Sequence, residues 1–389
     1  MRAGRAWFFG GPSVDEKLKL YRGAGPGFDF WRFLLSTCVI FLHSFHVAYG
    51  TFAGGDRIAA FNPFFAAILP VFFGLSGFLV AGSALRTADL KTFLGFRALR
   101  LVPALAVEVT LSALILGPLL TTVPLSAYFT THEFFTYWGN IIGRVRYNLP
   151  GLFANNPIPH TVNENLWTLH AELTCYAIMA VAILVGLLHR RRLALALWGS
   201  VTIGMIAMNV TAGWFARDAL YPTNLFVYSF CTGVIAFLWR DRIPLSPLVM
   251  IASLIAYLAC YQIRELSVVA MLPLTYVMIW VGMQPRLQST LFKKGDYSYG
   301  LYLYGFVIQQ TLALLVPQLR EWWFIFPSTM ILTLTFAITS WHFIEKPALR
   351  LKKIISPRAA APAGTAHPHQ QAEPELRRLE EAESGKGAV

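Results

Sequence analysis

The chain has 389 residues, of which 56% are hydrophobic and only 13% charged, with a formal net charge of +12. A soluble protein of this size carries roughly 25% charged residues, so the composition excludes a soluble globular enzyme and points to a polytopic membrane protein. The positive charge sits in short segments between apolar runs, which makes it a topological signal and leaves no reason to invoke nucleic acid.

Residues 1–27 are basic, and their longest apolar patch, residues 6–9, is too short for a signal-peptide core. They read as an uncleaved cytoplasmic segment. The first span follows as FDFWRFLLSTCVIFLHSFHVAYG, residues 28–50, with Arg32 and His43 inside it. Ionisable residues in such a run are costly enough to suggest function. Eleven steps of about 100° amount to three turns plus roughly 20°, so Arg32 and His43 share one helix face, about 16 Å apart along the axis.

Ten spans are expected, at about 29–49, 62–83, 101–122, 166–188, 193–212, 222–239, 245–263, 266–284, 297–316 and 323–344. The second carries Gly74 and Gly77, which permit close helix packing. Before the third, FLGFRALRLVPAL puts Arg97 and Arg100 on one face at the membrane edge. Twenty-two Lys and Arg fall in one set of loops and termini and six in the other, which predicts that both termini are cytoplasmic. Residues 123–165 form the only long external loop, whose aromatic content predicts a structure lying against the membrane. Four cysteines lie within apolar segments and read as small buried hydrophobes; no metal site is expected. The Ala/Pro/Glu-rich tail, residues 354–389, is expected to be disordered.

Counted from the membrane surfaces, His43 and Glu172 lie at one depth, about 20 Å from the inside. Thr168, Glu172 and Tyr176 form an i, i+4, i+8 stripe facing the bundle interior. An imidazole can take a proton from an alcohol, and a carboxylate nearby can orient it; a buried structural pair is the alternative reading. His46, one turn beyond His43, and Trp167, at the start of the fourth span, are further substrate-contact candidates. Arg32, Arg97 and Arg100 lie on one membrane side and can hold phosphates bidentately, although positive-inside bias also produces arginines there.

Taken in order, Arg32-x10-His43, FFGLSGFL (72–79), Arg97-x-x-Arg100 with Pro103, LWTLHAELTCY (166–176), SYGLYLY (298–304) and FIEKPALRL (343–351) resemble the acyltransferase-3 family of polytopic membrane O-acyltransferases. The resemblance covers residues 28–353, which form one membrane domain, and lacks the extracytoplasmic hydrolase-like domain that some relatives append. Gly305 stands where many relatives have a His. The resemblance implies an all-α bundle in a bacterial inner membrane that moves an acyl group, usually acetyl from acetyl-CoA, to a hydroxyl of a carbohydrate or glycoconjugate. It also implies that Arg32 and His43 are essential, and that Arg97, Arg100 and Glu172 contribute. The competing expectation is a transporter or flippase that uses the same ionisable residues as a pathway.

Overall fold

Each of the ten apolar segments forms a helix in the computed structural model, which describes residues 11–21, 23, 25–87, 89–212, 223–287 and 295–355. In chain order these are α1 (Phe28–Tyr49), α2 (Asn62–Thr87), α3 (Leu90–Leu111), α4 (Thr168–Leu184), α5 (Arg191–Ala212), α6 (Thr223–Leu238), α7 (Pro247–Tyr261), α8 (Ser267–Gly282), α9 (Ser298–Leu315) and α10 (Trp322–Ser340). No β-strand occurs among the described residues, so the fold is an all-α membrane bundle. Six helical stretches are long and apolar enough to cross a membrane, while α6, α7 and α8 are shorter apolar helices. Large apolar side chains stay exposed around the outside, Ile203, Val210, Ile255, Ile331 and Phe343 among them. Such a belt suits contact with lipid tails. The expected tail lies almost wholly outside the described residues.

The most extensive helix–helix contact among the described residues is between α2 and α6, and its cause is local. A Cβ added at Gly77 would stand 2.0 Å from the carbonyl oxygen of Phe230, and one at Gly233 would stand 2.0 Å from that of Gly74. Only glycine lets the two backbones approach this closely, which is the small-residue packing that lipid-embedded helices rely on. Around this pair, α1, α8 and α9 complete the core, with α10 packed on α1 and α9.

Two helices run further than the apolar pattern predicts. α3 begins at Leu90, eleven residues before the expected span, so Arg97 and Arg100 lie within it. Asp89 starts it by accepting a hydrogen bond from the Thr92 amide at 3.0 Å. Beyond Leu111 the helix continues through a π turn, Ser112–Leu116, to Leu120. α10 likewise passes through a π turn, Trp341–Glu345, into Lys346–Arg350 and then Lys352–Ile355. Charged side chains that find partners inside the bundle need not end a helix at the membrane edge.

The loop at 123–165 is ordered by polar anchors that reach into the bundle. The Asn163 side-chain amide donates to Glu108 Oε1 at 3.1 Å and to the Leu303 carbonyl at 2.9 Å. Gln310 donates to the carbonyls of Ile158 and Thr161, both at 2.7 Å, and accepts from Asn156 at 2.9 Å. The π turn leaves the Ala113 carbonyl free for the Tyr128 hydroxyl at 2.8 Å. Tyr128, Phe134, Tyr137 and Phe153 then pack with Leu105 and Val109 of α3 in a second core. These four aromatic residues form the loop's own core, while Phe129 and Phe135 stay exposed.

Candidate active site

An Arg inside an apolar helix favours a carboxylate partner, and Arg32 and Arg100 each find one at long range. Arg32 of α1 donates through Nη1 to Asp296 Oδ2 at 2.7 Å and also pairs with Asp29. Arg100 of α3 donates through Nη2 to the same Asp296 oxygen at 2.7 Å and through Nη1 to Glu345 Oε2 at 3.0 Å. Its guanidinium also lies 5.3 Å from the centre of the Tyr299 ring. Glu345 sits in the π turn after α10 and accepts from the Ser340 hydroxyl at 3.2 Å. The network therefore ties together α1, α3, the start of α9 and the end of α10.

Burial alone would raise the Asp296 carboxyl, but the two guanidiniums, aided by the Ser298 hydroxyl and amide, outweigh it and hold it well below the usual carboxylate range. A depressed carboxylate stabilises the fold above its unfolded value, about 3.9, and loses that contribution only as pH falls through the depressed folded value. Asp296 therefore stays charged throughout neutral and mildly acidic conditions.

A cavity of about 530 Å³ lies beside this network, lined by α1, α2, α3, α4, α9 and the extension of α10. Along α2 its lining runs from Leu69 to Arg86, roughly 25 Å at 1.5 Å per residue. One end is cationic, with Arg86, Arg97 and Lys352. Glu172, Tyr176 and Tyr299 form the wall beside the arginines. Phe72, Asn165, Thr168 and Tyr302 form the other end, where the Thr168 and Tyr302 hydroxyls are 2.9 Å apart.

His43 is not among the residues lining the cavity. Its ring meets the edge of Phe306 at 5.2 Å and lies 6.0 Å from that of His46. Phe306 is one turn of α9 beyond Tyr302, so His43 sits one helical turn past the far end of the cavity. Nearby, Gln309 donates to the Ile40 carbonyl at 2.7 Å and to Ser44 Oγ at 2.8 Å, locking α9 against α1. A Cβ at Gly305 would approach Ile40 Cγ1 to 2.9 Å. The position therefore serves helix contact here.

The expected common depth of His43 and Glu172 is not found. Asn165 donates to the Tyr302 carbonyl at 2.6 Å, so the approach to α4 dips well into the bundle before the helix begins. Seven residues on, Glu172 falls on the arginine side, roughly 16 Å along the axis from His43. There its carboxylate accepts from the Tyr176 hydroxyl at 2.5 Å. Trp167 packs edge-on against Phe226 at 5.4 Å and does not line the cavity. Of the three arginines expected to hold an anion, Arg32 and Arg100 are already paired with carboxylates. Arg97 has no ion pair among the described residues; it donates to Ser83 Oγ at 3.3 Å, lies 5.9 Å from the centre of the Phe93 ring, and its Nε is buried without a partner.

Asp296, Glu345, Arg86, Lys352 and Glu108 are the site and anchor residues that spacing did not single out. A signal was available for the acids. Few carboxylates lie in or beside the spans, and a buried arginine favours one of them as its partner.

Comparison with known proteins gives the following. Residues 26–342 match the acyltransferase-3 family, described as an acyltransferase domain. The chain is 26% identical over 372 residues to nodulation protein 10 of Rhizobium leguminosarum bv. viciae, covering 88% of this chain and 97% of that protein. It is 25% identical over 307 residues to an O-acetyl transferase of Shigella phage Sf6, covering 71% of this chain and 82% of that one. No solved structure matches it significantly.

Proposed function

Since the chain belongs to the acyltransferase-3 family and is a membrane O-acyltransferase, we propose that it moves acetyl from acetyl-CoA to a hydroxyl of a carbohydrate or glycoconjugate. The observation that carries this reading is the polarity of the long cavity, cationic at one end and ending one turn short of His43. A CoA thioester has the same polarity, with phosphates at one end, an extended pantetheine arm and a reactive carbonyl at the other. The cavity length of roughly 25 Å suits such an arm. The Glu172 carboxylate and the Tyr176 oxygen, whose proton goes to Glu172, offer acceptors along the wall for the N–H groups of the arm's two amides.

In this reading His43 removes the proton of the acceptor hydroxyl as the oxygen attacks the thioester carbonyl. The C–S bond then breaks, CoA leaves as the thiolate and takes up a proton, and the new ester departs. The acceptor approaches from the His43 and His46 side, opposite to the donor. The likeness to an O-acetyl transferase supports oxygen as the acceptor atom. Purified protein with radiolabelled acetyl-CoA and cell-surface glycan should yield base-labile labelled ester. Surface polysaccharide with identical ester acetate in cells with and without the gene, or a purified protein inert toward acetyl-CoA, would sink the assignment.

The reading also has an orientation, with both termini in the cytoplasm of a bacterial cell and the donor mouth facing that side, supported by the twenty-two-to-six charge asymmetry. A single cysteine introduced at an exposed position of the 123–165 loop should react with an impermeant thiol reagent on intact cells. One introduced in the C-terminal tail should react only after lysis, and tail labelling on intact cells would invert the topology.

A further inference from the structure

Five cations line the cavity, and they fall into two groups. Arg32 and Arg100 are committed to Asp296 and Glu345. Arg86, Arg97 and Lys352 have no ion pair among the described residues, though all three line the same end of the cavity. The fold brings them together from three separate elements.

Arg97 reaches across to α2, where its Nη2 donates to Ser83, one turn before Arg86. Lys352 arrives from the far end of the chain. The short helix Lys352–Ile355 lies against α3 where Gly95 leaves room for it; a Cβ at Gly95 would come within 3.1 Å of Ile355 Cδ1. The Lys352 ammonium is thereby held 5.2 Å from the Phe96 ring, next to Arg97. The charge of Arg97 is felt at both Arg86 and Lys352. Three like charges gathered at a cavity mouth repel one another, and a multiply charged anion between them reverses the sign of that energy.

We infer that Arg86, Arg97 and Lys352 form the seat for the donor's phosphate groups, while Arg32 and Arg100 are structural partners of Asp296 and Glu345. The inference rests on the reading that the donor is a CoA thioester. It adds two ligands, Arg86 and Lys352, that the arginine motif does not contain. The diphosphate and 3′-phosphate of CoA together match three separate cations, and the buried, unpartnered Nε of Arg97 supplies a further donor. Each charge-assisted hydrogen bond lost should weaken affinity by roughly tenfold or more.

The test uses the full chain in phosphatidylcholine nanodiscs, with CoA binding followed by calorimetry. Arg86→Gln and Lys352→Gln should each weaken CoA binding roughly tenfold, and the double variant should also lose most of the dependence on ionic strength. The KM for acetyl-CoA should rise while kcat at saturating donor is retained. Arg86→Lys and Lys352→Arg should keep most of the affinity, and unchanged thermal unfolding should accompany every variant. Unchanged CoA affinity in the double variant, with turnover intact, overturns the seat but leaves the acyltransferase reading standing. Failure of the wild-type chain to bind CoA overturns both. The same titration in phosphatidylglycerol nanodiscs separates the donor from lipid phosphate. Displacement of CoA from the wild type by the anionic lipid would make the cluster a headgroup site and overturn the proposal.

Discussion

His43→Ala should lower acyl transfer by about 10²- to 10⁴-fold, the usual loss on removing a general base, while CoA binding and chain folding persist. The separation of the two effects follows from geometry. His43 sits one turn of α9 past the end of the cavity, against Phe306, and lines none of the space assigned to the donor. Its Nδ1 is buried and has no hydrogen-bond partner, so truncation breaks no polar contact made through that atom. His43→Gln should fail almost as completely, because an amide keeps hydrogen bonding but cannot accept the proton. Transfer measured with labelled acetyl-CoA, beside CoA calorimetry and size-exclusion profiles, separates chemistry from folding. Near-normal transfer in His43→Gln would remove the imidazole from the reaction. Isolation of an acetylated His43 in the absence of acceptor would instead replace direct attack by a two-step, ping-pong route.

The second large effect concerns stability. Arg100→Ala leaves Glu345, 2% exposed, without its guanidinium and withdraws one of the two cations from Asp296. Breaking a buried pair by removing one partner costs about 3–5 kcal/mol. With the Arg100 side chain 20% exposed, a loss near ~3 kcal/mol is expected. The paired change Arg100→Met with Glu345→Met should recover a large part of it, since no uncompensated acid then remains and Asp296 keeps Arg32. Thermal unfolding of the three proteins in one detergent reads the difference. A double variant no more stable than Arg100→Ala would show that the pair does not act as a structural unit. If Arg100 instead served mainly as a phosphate ligand, the single variant would lose donor affinity with little change in unfolding.

The same network gives Arg32 a structural task that needs no contact with the donor. Its guanidinium links Asp29 and Asp296 on the face it shares with His43. The Ser36 hydroxyl, one turn further on, donates to the Ser298 carbonyl at 3.0 Å. These contacts set the register of α1 against α9, and therefore the height of His43 relative to Tyr302. On the proposed mechanism, Arg32 is thereby a positioning residue for the imidazole.

What the sequence by itself determined is everything that depends on local periodicity and solvent. Apolar runs with no water to bond their backbones must be helical, and all ten are. Gly74 and Gly77 marked a close helix contact, and the ten-residue gap between Arg32 and His43 fixed their common face. Only the tertiary structure decided which carboxylate meets which arginine, because Asp296 and Glu345 lie roughly 200 or more residues away from Arg32 and Arg100 in the chain. Depth counting also failed there. It assumed that α4 starts at the membrane surface, whereas Asn163 and Asn165 bind α9 carbonyls inside the bundle and carry Glu172 down to the arginines. A buried polar group must find a partner, and sequence states that requirement. Which partner it finds is settled by packing, since only the folded bundle fixes the distances over which charges and hydrogen bonds act.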